Sequence, residues 1–191
     1  KPSHSRELQE EGEHLNNAYD YQQISFLGQN EVIGLTSAQG FFGGLLDKGS
    51  LHLHPLKYAL GLARAAHNSG VRIYEGTYGM PQTGCSSGQV VSEFGHVYAK
   101  HVVLGCNAYL GNLIPQLAER IMPINNFVIA TERLQKNVLQ KINKYNLSMS
   151  DTFFVINYWK NSKDGRLIFG GGESYSKSFP KDIKSVVRPH M

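Results

Sequence analysis

The chain has 191 residues, 41% hydrophobic and 18% charged, with a formal charge of +4 and a pI of about 9.0. That is enough apolar side chain for a core in one large domain or two small ones, which excludes a disordered chain. The apolar runs, such as Phe153–Ile156, fall far short of the roughly 20 residues of a membrane span, and the nineteen Lys and Arg form no run longer than a pair, so nucleic acid is permitted but not indicated.

From the first residue, Lys1 to Glu11 is polar and acidic, unlike a signal peptide. Leu8, Leu15 and Ala18 form an apolar stripe opposite Glu7, Glu10 and Glu11, which predicts an amphipathic helix over 5–19, interrupted by Gly12. Gln23–Leu27 reads as a strand, Glu31–Ala38 as a helical turn, and Phe41–Asp47 as an extended segment ending at Lys48-Gly49. A helix is expected over Pro55–Asn68, where Leu56, Ala59, Leu60, Ala63 and Ala66 line one side. Pro55 suits its first turn and Gly70 its end. Val71–Glu75 alternates like a strand, and Tyr78–Gln89 has loop composition.

Val90-Val91, Val97–Ala99 and His101–Cys106 read as strands, the last apolar at consecutive positions as if buried on both faces. A link containing Pro115 leads to a strand over Pro123–Ala130, and Leu134, Val138, Leu139 and Ile142 mark a helix. Thr152–Lys160 and Arg166–Gly170 are expected to pair as a hairpin closed by Asp164-Gly165. The whole predicts an α/β protein with α+β character, in two layers or more.

Few of these residues announce chemistry. His52 and His54 have the spacing of some metal ligands, but no acidic or cysteine cluster completes a site, so no metal is expected. Cys106, in an apolar strand, reads as a small buried hydrophobe, and Cys85 and Cys106 as free thiols of a reducing compartment, hence the cytoplasm. Gly170-Gly171-Gly172 matches no phosphate loop; it suits a close backbone approach or a sheet corner. Tyr158 and Trp159 are neighbours on a strand and so face opposite ways.

Several stretches resemble one family. They are Gly43–Gly49 with His52–Arg64, Val103–Leu110, Arg120–Glu132, and Leu167–Tyr175 followed by Phe179-Pro180. In this order they resemble FAD-dependent oxidoreductases of the D-amino-acid-oxidase-like superfamily, nearest to the gamma-glutamylputrescine oxidases. Tyr78-Gly79-Met80-Pro81 departs from the family, which continues the preceding strand with a small apolar residue.

The resemblance implies part of a Rossmann-like FAD domain and a mixed-sheet substrate domain. Residues 1–50 and 121–176 would belong to the substrate domain, 51–120 to the FAD domain, and 177–191 to the return. The implied reaction is oxidation of a C–N bond of a small amine or amino acid by hydride transfer to FAD. No catalytic acid or base is assigned. Tyr158, Trp159 and Asn126 are the candidates for the substrate, with the Tyr158 hydroxyl expected to donate to a carboxylate or carbonyl. Gly105, Cys106 and Asn107 are the candidates for the adenosine end of FAD. The family's glycine-rich fingerprint is not found between Lys1 and Met191, so the chain reads as an internal fragment expected to be inactive and without FAD by itself. The alternative is a non-catalytic module binding a ligand or a protein. Oligomeric state is left open.

Overall fold

The computed structural model describes residues 1–82, 88–176 and 180–187. The chain divides into two compact units, Lys1–Leu53 with Ile124–Met191, and His54–Pro123.

The first unit opens with helix α1 (Pro2–Tyr19). Its Gly12 does not interrupt the helix; it is the buried residue of α1, and its bare Cα lies against Leu45. Strand β1 (Ile24–Gly28), helix α2 (Gln29–Thr36) and strand β2 (Gly43–Asp47) follow, and β1 and β2 pair antiparallel. The end of that ribbon is tied by Asp47. Its carboxylate accepts from Tyr21 Oη at 2.5 Å, from the Gly49 amide at 2.8 Å and from the Ser50 hydroxyl.

These bonds, that of Ser50 foremost and then that of Tyr21, hold the Asp47 carboxyl below its ordinary pKa of 3.8. A depressed carboxyl stabilises the fold above the unfolded value and loses that contribution as pH falls through the folded one. Asp47→Asn should therefore flatten the acid limb of stability, read as urea midpoints between neutral pH and about pH 3. An unchanged acid limb would show that the tie does not bear on folding.

After unit 2 the chain re-enters the first unit at strand β6 (Asn125–Ala130), then helix α5 (Lys136–Ile142), strands β7 (Ser148–Ser150), β8 (Tyr158–Asn161) and β9 (Leu167–Ser174), and helix α6 (Ile183–Val187). The four strands form one antiparallel sheet in the order β6-β9-β8-β7. The hairpin at Asp164-Gly165 forms as expected, with Ser162 N donating to Arg166 O at 2.8 Å. Its first strand is shorter than the alternation suggested. Asp151 accepts from the Phe153 and Asn157 amides and from Asn157 Nδ2, curling 151–157 into a loop and leaving Phe154 93% exposed.

Unit 2 contains helix α3 (Pro55–Asn68), with the bounds expected, then strands β3 (Met80–Gln82), β4 (Gly88–Ser92) and β5 (Gly95–Ala99) in a meander, a 3-10 turn (Asn107–Leu110), and the short helix α4 (Pro115–Ala118). Two expectations are corrected here. Neither Val71–Glu75 nor His101–Cys106 is a strand, and Val103 is 91% exposed rather than buried on both faces. A strand exists only where a neighbour completes its ladder of hydrogen bonds, and none lies alongside either segment among the described residues. Cys106 is half-buried outside any strand, and Cys85 lies outside the described residues.

The core is thinner than the composition suggested. Among the described residues, Leu110 and Phe127 are the buried hydrophobic side chains, and the leucines of α3 stay exposed. No helix among the described residues is long and apolar enough to cross a membrane.

Candidate functional site

Successive side chains on a strand alternate faces, so the register of the four-stranded sheet sorts its residues. One face carries Phe127, Trp159 and Phe169. Phe127 is buried, and Trp159 stacks on Phe169, its cross-strand partner, at 6.1 Å between centroids and meets Phe41 at 5.9 Å. The other face carries Asn126, Val128, Gly170 and Tyr158 and is open, with Val128 57% exposed and Tyr158 36%.

On this open face Tyr158 and Asn126 come together. Tyr158 Oη donates to Asn126 Oδ1 at 2.5 Å, and Asn126 Nδ2 donates to Gly172 O at 3.2 Å. The glycine run makes the arrangement possible. Tyr158 lies directly across from Gly170, and its ring occupies the space that a Cβ at 170 would need. Gly172 takes φ +68° where the register between β6 and β9 shifts, which turns its carbonyl toward Asn126. The triple glycine thus serves both as a close approach and as a kink in the sheet.

Trp159 parts from this pair. It lines a cavity of about 1110 Å³ in the first unit, among Leu8, Leu27, Phe41, Met149 and Phe153. Of the three expected substrate residues, two meet and the third belongs to the apolar face.

Charge frames the pair at both ends. Glu173 is directly opposite Asn126, and its Oε2 accepts from Tyr175 Oη at 2.9 Å. Lys160, two residues beyond Tyr158, donates from Nζ to Leu53 O at 2.6 Å. The sequence reading passed over both, because nothing in their spacing links residues 160 and 173 until the hairpin register sets them on one face.

The remaining candidates are dispersed. His52 Nε2 lies 2.7 Å from Asn146 O, whereas His54 caps α3 by accepting the Lys57 amide. In unit 2, Gly105 has open space where a Cβ would stand, Cys106 O accepts the Tyr109 amide, and Asn107 is left-handed at φ +49°. A dinucleotide pyrophosphate needs a cluster of free amides at a helix start. At α3, Pro55 has none, the Lys57 amide is taken by the His54 ring and the Tyr58 amide by His54 O. The start of α3 therefore offers few free amides to a pyrophosphate.

Comparison with known proteins assigns the frame. The family described as FAD dependent oxidoreductase (DAO) matches residues 2–190. The probable oxidoreductase OrdL of Rhizobium meliloti (strain 1021) is 36% identical over 190 residues, covering 98% of this chain and 44% of that protein. The gamma-glutamylputrescine oxidoreductase of Escherichia coli (strain K12) is 33% identical over 174 residues, covering 91% of this chain and 41% of that protein. The crystal structure of glycine oxidase from Geobacillus kaustophilus superposes with a TM-score of 0.71 at 14% identity, over 99% of this chain and 50% of that one, which is a likeness of fold. The chain spans less than half the length of these curated relatives. With its sequence matched almost end to end and its mixed helices and antiparallel sheets shared, this chain belongs to the DAO family of FAD-dependent oxidoreductases.

Proposed function

We propose that this chain supplies the substrate-facing sheet of an enzyme that oxidises a C–N bond in a small amine or amino acid. The observation that carries this reading is the Tyr158–Asn126 pair on the open face of the β6-β9-β8-β7 sheet, in a chain of this family. Where a flavin carries the oxidation, the polypeptide's duties are to orient the substrate and exclude water. Tyr158 and Asn126 together form the substrate-binding pair, Asn126 holding the Tyr158 hydroxyl in place, and Trp159 backs the same strand from its apolar side. The turn at Gly105, Cys106 and Asn107 is the stretch of unit 2 we assign to the adenosine end of FAD. The names of two relatives, gamma-glutamylputrescine oxidoreductase and glycine oxidase, support an amine or amino acid as substrate. The cysteine usage supports a cytoplasmic setting.

The test is anaerobic bleaching of the flavin-loaded enzyme that carries this segment, which needs no knowledge of the electron acceptor. Gamma-glutamylputrescine or a simple amino acid is expected to bleach it, and a 2-hydroxy acid is not. Bleaching by the hydroxy acid alone would overturn the C–N assignment. A non-catalytic ligand-binding module is the second reading, supported by the engagement of the Lys57 and Tyr58 amides at the start of α3 with His54. Bleaching by no substrate at all would support it.

A further inference from the structure

We infer that the open face recognises its ligand through an acceptor, with the Tyr158 oxygen receiving a hydrogen bond from a ligand amine or ammonium. This rests on the substrate-face reading above and reverses the polarity expected from the sequence, in which Tyr158 donates to a carboxylate.

The argument begins at Gly172. A backbone carbonyl can only accept, so the end of the Asn126 amide facing Gly172 O at 3.2 Å must be the NH₂ group. That fixes the amide, and its oxygen faces Tyr158 Oη at 2.5 Å. An amide oxygen also only accepts, so the single phenolic proton is committed to Asn126. What Tyr158 presents outward is its lone pairs. A ligand carboxylate brought there would set oxygen against oxygen, whereas an N–H would complete the chain from ligand to Tyr158 to Asn126 to Gly172. Asn126 is thus a positioning residue, acting through Tyr158.

The surrounding charges agree. Glu173 lies directly across the strands from Asn126 and puts a carboxylate at the Asn126 end of the face. Lys160, on the same face two residues past Tyr158, puts an ammonium at the other end, held to Leu53 O. The face therefore has a direction. An ammonium is drawn toward Glu173 and Tyr158, and a carboxylate, where the ligand has one, is drawn toward Lys160.

The test uses the 191-residue chain with its tyrosine rings isotope-labelled, the Tyr158 signal assigned by Tyr158→Phe, and two probes of matched size, n-butylamine and n-butyrate. Butylamine is expected to shift the Tyr158 ring signal saturably, and butyrate to leave it in place. Asn126→Leu frees the phenolic proton and should weaken the butylamine response about tenfold, the size of one hydrogen bond to a charged group, while letting butyrate respond. Asn126→Asp keeps an acceptor for the hydroxyl and should retain the amine preference, which a merely structural role for Asn126 would not produce. Asn126 is solvent-facing, so these variants should fold, and the wild-type comparison decides even where one does not. A larger butyrate response in the wild type would overturn the polarity while leaving the substrate face standing. No response to either probe would overturn both.

Discussion

Replacing Phe127 with alanine should lower the unfolding free energy of the first unit by about 3–5 kcal/mol, the usual loss for a buried phenylalanine. Its side chain is 5% exposed and sits on the covered face of β6, opposite Gly171, beside the register shift. Removing the ring leaves a hole that a strand bonded along β9 cannot collapse to fill. Urea unfolding followed by far-UV circular dichroism measures the loss. Val128→Ala provides the comparison, since Val128 is 57% exposed on the opposite face and its truncation should change stability by about 0.5 kcal/mol or less. Equal losses for the two would show that the covered face is not the core of this sheet.

Gly170→Val should be nearly as costly, by about 1–3 kcal/mol through overpacking, and should also break the Tyr158–Asn126 pair. The added side chain would stand where the Tyr158 ring lies, so the ring must swing out and its hydroxyl must leave Asn126. Amine binding at the open face is expected to weaken by about tenfold or more. A double-mutant cycle separates this cause from a general loss of strand stability. Tyr158→Ala removes the obstructing ring, so Gly170→Val should cost less stability in that background than in the wild type. Equal costs in the two backgrounds would refute the steric argument.

The two elements read most accurately from sequence are those with their own punctuation. Helix α3 begins at Pro55 and ends before Gly70, and the β8–β9 hairpin turns at Asp164-Gly165. Local chemistry determines both. Val71–Glu75 and His101–Cys106 have equally strand-like side chains, yet strand formation depends on a neighbour that side-chain pattern does not encode. Strand β7 was missed for the converse reason: Ser148-Met149-Ser150 has little strand propensity and pairs because β8 lies beside it. At the site, the hairpin was enough to expect an aromatic near Asn126. Which aromatic, and which way its proton points, depend on strand parity and on one carbonyl at Gly172. Those are properties of register, fixed only once the four strands have paired.

The packing of Trp159 gives the molecule a built-in optical reporter. It is the sole tryptophan of the chain, and the rings it meets among the described residues, Phe41 and Phe169, belong to the first unit. Its emission therefore follows the melting of that unit, while unit 2, which holds no tryptophan, is read through tyrosines such as Tyr58, Tyr74 and Tyr98. Exciting at the red edge of the indole band, where tyrosine does not absorb, lets one sample yield the folding of one unit without interference from the other.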